Sequence, residues 1–259
     1  MTETQPVSPL LTPKKAKKKE TPGEMFRSFA FAVLLALLFR SVAYEPFHIP
    51  SGSMLSTLYE GDYIFVSKLS YGYSRYSFPF SPDMFGGERV LGTMPARGDV
   101  VVFRNPVDTS TDYIKRVIGL PGDRVQMKHD RLYINGTLVE QTRRGDVTLP
   151  DSQGQMHAIP RYEETLPGGR SHVVLDANPD NQDPTTGFNS DNTAVYTVPE
   201  GHFFMMGDNR DNSQDSRFSK ELGYGNAPGF VPFENLIGRA EIIAFSWKGE
   251  PGRWLKSIL

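Results

Sequence analysis

The sequence predicts a mainly β protein: antiparallel sheets or a partly closed barrel, carrying an inserted β subdomain and preceded by one N-terminal transmembrane helix. Three observations predict it. Nine short runs rich in β-branched and aromatic residues are bounded by Gly, Pro, Asn or Asp, the punctuation of strands. A single long apolar segment lies near the start, and no second long amphipathic helix follows it. A polar, turn-rich stretch divides the strands into two sets. The expected organisation is a disordered basic tail over 1–23, the helix over 24–45, a core built from 46–123 and 202–259, and the inserted subdomain over 124–201.

A chain of 259 residues is long enough to bury a substantial core without metals or disulfides. Cysteine is absent, which removes disulfides, thiolate metal sites and cysteine nucleophiles together. Chemistry must then come from Ser, Thr, Lys, His or carboxylates. Residues 1–44 hold seven Lys or Arg against three Glu, so the overall charge of -2 leaves -6 on the remainder. An acidic body is a poor partner for nucleic acid, which needs a basic face.

Five lysines between Lys14 and Lys19 repel one another in any compact state. From 28 to 39 runs SFAFAVLLALLF, flanked by Arg27 and Arg40. Twelve helical residues cover only about 18 Å, so a membrane span must extend from Met25 to about Phe47 with both arginines snorkelling. A basic start and short apolar run also fit a cleavable signal, and an ordinary core helix is the third reading. A retained anchor is favoured because the sequence after Phe39 leads directly into a loop with chemical potential. The basic flank places the amino terminus in the cytoplasm and the body across the membrane.

The strand runs are GDYIFVSKL (61–69), GDVVVF (98–103), DYIKRVIGL (112–120), DRVQMK (123–128), RLYING (131–136), HVVL (172–175), TAVYTVP (193–199), HFFMMGD (202–208) and GRAEIIAFSW (238–247). Between them, QTRRGDVTLPDSQGQ and DANPDNQDPTTGFNSDN are too polar to fill a core. Residues 71–92 crowd Tyr71, Tyr73, Tyr76, Phe78, Phe80 and Phe85 into a Pro/Gly-broken loop, which either packs on the sheet or touches a bilayer interface. Trp247 and Trp254, with Leu255, Ile258 and Leu259, have the same two readings, core or interface.

Scanning finds no HExxH pair, no G-x-S-x-G, no Ser-x-x-Lys and no phosphate loop, which excludes zincins, α/β-hydrolases, penicillin-binding-type enzymes and P-loop NTPases. The five histidines are scattered, and none is expected as a ligand or triad base. Three segments remain. IPSGSMLSTL (49–58) sets two serines around a glycine, supplying hydroxyls and backbone N–H groups on a tight turn. In TDYIKRVIGLPGD (111–123), alternation puts Tyr113, Lys115 and Val117 on one strand face, so Lys115 is either buried or snorkelling. MGDNRDNSQDSRF (206–218) packs Asp, Asn, Arg and Ser after an apolar strand, which by itself reads as a hydrogen-bonded turn held by ion pairs.

Taken in order, RSVAYEPFHIPSGSM, RGDVVVF, DYIKRVIGLPGD and GDNRDNSQDSR resemble the boxes of bacterial type I signal peptidases, membrane-bound Ser/Lys endopeptidases that remove signal peptides. The resemblance runs from about Arg40 to Phe218, with one departure: Ser56 stands where the family box usually has proline. It implies Ser53 as nucleophile, Lys115 as general base, the Ser53 N–H and Ser51 hydroxyl as oxyanion hole, and Ser213 as the group orienting the lysine. Asp208 with Arg116, and Asp215 with Arg217, are then structural ion pairs. Shallow pockets for small residues of an A-x-A site are implied at Phe47, Ile49, Pro50, Met54, Leu58, Val102, Tyr113 and Ile114. No cofactor or metal is implied. The implied partners are preprotein signal peptides, the phospholipid bilayer of the inner membrane and the nearby export translocon. A lysine at its ordinary pKa cannot accept a proton from serine near neutrality, so the resemblance requires Lys115 to be desolvated. The rival readings are an anchored β module that binds peptides or glycans, and a self-cleaving Ser/Lys repressor. The second would need a DNA-binding helical domain where this chain has a lysine tail and apolar segment.

Overall fold

The computed structural model describes residues 21–83, 85–150, 154–176, 188–247 and 252–258. Most of the tail expected to be disordered, residues 1–20, and residues 177–187 of the insertion lie outside these. The chain falls into two compact units that divide after Leu38.

Helix α1 spans Pro22–Val42. Thr21 and Glu24 cap its start reciprocally, each side chain accepting from the other's backbone N–H, and Pro22 sits where its missing N–H costs nothing. None of its residues is buried, and its 21 residues cover about 31 Å, enough to cross a hydrocarbon core. The helix ends earlier than hydropathy predicts. Glu45, Pro46 and Phe47 belong instead to strand β1 (Tyr44–His48), where Pro46 is tolerated because the strand lies at a sheet edge.

The body is mainly antiparallel β, as expected. Its further strands are β2 (Asp62–Ser67), β3 (Val100–Arg104), β4 (Asp112–Gly119), β5 (Arg124–Lys128), β6 (Arg131–Ile134), β7 (Thr137–Leu138), β8 (Glu140–Pro150) and β9 (Met156–Thr165). They continue with β10 (Ser171–Leu175), β11 (Tyr196–Thr197), β12 (His202–Met206), β13 (Val231–Pro232), β14 (Leu236–Ser246) and β15 (Lys256–Ser257). The largest sheet runs β1-β2-β14-β3-β4-β12-β13, with β15 added to β14. It places β4 between β3 and β12, so residues at the centre of β4 have strands on both sides. One apolar cluster (Ile49, Met54, Leu58, Ile64, Val66, Val102) lies against the loop after β1, and another gathers Val101, Phe103, Val117, Phe203, Met205 and Leu236, with β3 sending alternate residues to each. This is the period-two burial that the strand pattern predicts.

The strands of 124–197 form two smaller sheets, β11-β5-β6-β7 and β10-β9-β8. The β8–β9 hairpin covers part of the segment read as polar loop. Its residues are exposed along most of β8, so no alternation marks it, and it fills no core. The aromatic loop after β2 packs on the sheet through its first half. Tyr71 is buried and donates its hydroxyl to Asp99, and Arg89 ties the loop by donating to the carbonyls of Tyr71 and Gly72. Phe80 stands fully exposed. Trp247 and Trp254 are also exposed, at 83% and 68%, which rules out the core reading for both.

Candidate active site

Ser53 sits in a single 3-10 turn, Gly52–Met54, between β1 and β2. The loop is tied down on both flanks. Before the turn, Ile49 exchanges hydrogen bonds with the β2 entry, donating to Asp62 O and accepting from Gly61 N, each at 2.9 Å. On the turn, Asn209 donates its backbone N–H to Ser53 O at 3.1 Å and its side-chain amide to Gly52 O at 3.0 Å. Beyond it, Thr57 donates its hydroxyl to Asp208. Two segments, the entry to β2 and the distant Asp208–Asn209 stretch, thus hold one short loop.

Lys115 projects from β4 to this loop. Its Nζ lies 2.8 Å from Ser53 Oγ and 3.0 Å from Ile114 O, and these are its two hydrogen bonds among the described residues. Both partners are nearly closed to solvent, Lys115 at 4% and Ser53 at 8% exposure. Burial pulls the Lys115 ammonium down to about 8, against the opposing pull of the Asp215 and Asp208 carboxylates. Each carboxylate is itself engaged by an arginine, and the Arg217 charge acts in the same direction as burial. Arg116 donates to both oxygens of Asp208 at 2.8 and 2.6 Å, and Arg217 donates to both oxygens of Asp215 at 2.9 and 3.0 Å. Bidentate arginine pairs of this kind are strong, and they leave the lysine without a counterion of its own.

Ser213 donates to Asp215 at 2.8 Å and is not a hydrogen-bond partner of Lys115. Its hydroxyl lies close to Gly207, where a Cβ would come within 2.2 Å of Ser213 Oγ and 2.6 Å of Ser53 O. Gly207 therefore lets the 206–218 loop approach the Ser53 turn. Ser51 is exposed and occupies the N-cap position of the 3-10 turn in extended backbone geometry, and its side chain makes no capping hydrogen bond.

Beside the two side chains lies a cleft of about 520 Å³ whose walls include Pro50, Ser51, Ser53, Tyr113, Ile114 and Lys115. Of the eight residues expected to shape pockets, Pro50, Tyr113 and Ile114 line it directly. Ile49, Met54, Leu58 and Val102 form the buried cluster that packs with Ile114, and Phe47 packs against the same cluster.

The sequence between 23 and 245 matches the family model for signal peptidase, peptidase S26. The chain belongs to that signal peptidase family. Relatives include signal peptidase I of Rickettsia canadensis (strain McKiel), 45% identical over 241 residues that cover 90% of this chain and 84% of the relative. Signal peptidase I of Rickettsia typhi (strain ATCC VR-144 / Wilmington) is 45% identical over 239 residues, 90% of this chain and 83% of that one. A signal peptidase I of Enterococcus faecalis V583 of known structure is 27% identical, with a TM-score of 0.32, covering 57% of this chain and 97% of that one. Membership rests on the sequence matches, which span both units.

Within this signal peptidase, several residues at the site lie inside the segments singled out from sequence, or behind them, without any pattern marking their individual roles. Asn209, Thr57 and Gly207 position the Ser53 turn, yet the first two are ordinary loop residues in sequence and the third is one of 24 glycines. Behind them, Glu164 on β9 accepts from Arg210 at 3.0 and 2.6 Å. His172 on β10 lies 3.4 Å from Glu164 and 3.8 Å from Asp208. Burial, then the Arg116 charge, pushes His172 down to about 4, so it is neutral there. The two acids keep their charge despite burial because Arg210 and Arg116 hold both below the usual carboxylate range.

Proposed function

We propose that this chain is a membrane-anchored signal peptidase I that cleaves exported preproteins after an A-x-A-type site, with Ser53 as nucleophile and Lys115 as general base. One observation carries the reading: a buried lysine whose amine is pulled toward neutrality lies 2.8 Å from a serine hydroxyl at the edge of an open cleft. As Ser53 Oγ attacks the scissile carbonyl, uncharged Lys115 takes its proton. The negative charge that develops on the carbonyl oxygen is met by the Ser53 N–H and the Ser51 hydroxyl. Collapse breaks the C–N bond, and the Lys115 ammonium returns the proton to the leaving amine. Water then attacks the acyl-serine by the same route, regenerating both groups. Ser213 acts on Lys115 through Asp215, and the two arginine-carboxylate pairs fix the scaffold.

Small side chains at the first and third positions before the cut suit walls built from Pro50, Tyr113 and Ile114 over tightly packed Ile49, Met54, Leu58, Val102 and Phe47. A larger side chain would overpack that cluster. Helix α1 serves as the single membrane anchor, the five lysines at 14–19 keep the amino terminus cytoplasmic, and the body works on the outer face of the inner membrane. There it meets substrates whose own apolar segments lie in the bilayer, near the export translocon, at raised effective concentration.

The experiment is cleavage of a labelled preprotein by the full chain in detergent, with the cut mapped. Ser53→Ala and Lys115→Met each abolish cleavage while the thermal unfolding transition persists, and Lys115→Arg is inactive because guanidinium stays protonated. Cleavage by Lys115→Met near the wild-type rate would sink the dyad. Amino-terminal sequencing of protein from membranes tests the anchor: loss of the first 40 or so residues would make α1 a removed signal.

A further inference from the structure

The cleft beside Ser53 carries a charge that the proposed chemistry does not use. Three formally charged side chains line it: Lys115, Asp112 and Glu60. Lys115 is buried and must be uncharged to act as base. Asp112 is paired with Arg104 Nε at 3.1 Å. Glu60 is exposed, and among the described residues its carboxylate has neither a hydrogen bond nor an ion-pair partner.

The position of Glu60 is built into the fold. It occupies the turn that enters β2, where Asp62 N donates to Tyr59 O at 3.0 Å and Tyr59 N donates to Asp62 Oδ2 at 2.9 Å. The next residue, Gly61, has φ 87°, the left-handed geometry that closes this turn, and donates to Ile49 O at 2.9 Å. The turn is thereby stitched to the segment after β1 that leads into Ser51 to Ser53. Its side chain reaches the catalytic loop: Glu60 Oε1 lies 3.6 Å from where a Cβ on Gly52 would be. An uncompensated carboxylate beside that loop raises the cost of the oxyanion that develops on the scissile carbonyl, since like charges repel. A positive group brought by the substrate removes that cost and adds its own attraction.

We propose that Glu60 makes the cleft select a cationic side chain, Lys or Arg, on the preprotein within a few residues of the cut, alongside the small residues that the apolar walls admit. The inference rests on the peptidase reading and adds to it a charge requirement at one flanking position.

The test uses the full chain in detergent and peptides with alanine at positions one and three before the cut. Lys, Gln or Glu is placed in turn at each remaining position from five before the cut to two after it. In the wild type, kcat/KM at one or two positions is about fivefold higher for Lys than for Gln at low ionic strength and lower still for Glu, the contrast shrinking as salt screens it. Glu60→Gln abolishes the Lys/Gln contrast at those positions, and Glu60→Lys inverts it. A wild type that cuts the all-neutral peptide with no charge preference anywhere overturns the role of Glu60 and leaves the peptidase reading standing. A preference that survives intact in Glu60→Gln also overturns it, because another group would then supply the attraction. Failure to cut any peptide overturns both.

Discussion

The Lys115 amine is pulled toward neutrality by its surroundings. Burial against the Ser53 turn excludes water from its amine, and the two nearby carboxylates are paired with Arg116 and Arg217. Two consequences follow from a pKa held near 8. Cleavage requires the neutral amine, so kcat/KM rises with pH through about 8 and then levels, which a pH-rate profile over a neutral peptide checks. Stability moves in the same direction. Below about 8 the folded state carries a buried ammonium at full penalty, and between about 8 and the ordinary 10.5 the unfolded chain binds more protons than the folded one, so stability rises with pH there. Each pKa unit corresponds to about 1.4 kcal/mol. Lys115→Met should therefore unfold at a higher temperature than wild type below pH 8, the gap closing at more alkaline pH. A gap that widened with pH would contradict a depressed lysine. Ser56, where the family box usually has proline, lies three residues past Ser53 on a loop held independently by Thr57 and Asp208. A small effect on rate is expected from it.

At the scale of elements, the site depends on two paired strands of the insertion, β9 and β10, and little on the outer part of the β8–β9 hairpin. Glu164, near the end of β9, satisfies Arg210, whose side chain is buried in the loop that carries Asn209. Leu175 on β10 donates its N–H to Asp208 O at 2.8 Å, so the same sheet also touches the pair behind Lys115. The outer β8–β9 hairpin is largely exposed, and its surface ion pairs, Arg143 with Asp146 and Arg144 with Glu163, lie within the hairpin itself. Glu164→Gln leaves a buried guanidinium without its counterion and should cost roughly 3–5 kcal/mol. Replacing residues 146–160 by a short turn should change stability by about 1 kcal/mol or less, since exposed pairs contribute little. Urea unfolding of the two variants checks both, and a hairpin deletion as costly as Glu164→Gln would mean the hairpin packs more tightly than its exposure indicates. The hairpin escaped sequence reading for the same reason that it tolerates change: polar residues on both faces give no alternation. Strand β1 escaped it because an apolar helix runs almost into it, and hydropathy does not register where a backbone turns from helical to extended.

The whole molecule combines an unburied apolar helix with an acidic β body that makes its own core. Because the clusters around the Ser53–Lys115 pair lie wholly after Leu38, a chain lacking residues 1–38 should fold, with an unfolding temperature within a few degrees of the full protein. It should cut a soluble peptide at a comparable kcat/KM but a bilayer-inserted preprotein more slowly, which paired assays with peptide and with preprotein in vesicles would measure. Equal rates on the membrane substrate would deny the helix its concentrating role. Sequence alone determined that the protein is mainly β, that it carries one apolar helix near its start, and that its boxes place it with signal peptidases. Those are properties of local period, composition and residue order. Only the tertiary structure decided that Lys115 is dry and 2.8 Å from Ser53, that both neighbouring acids are neutralised while Glu60 is not, and that the two tryptophans face outward. Desolvation and charge pairing arise between residues far apart along the chain, and no local pattern encodes them.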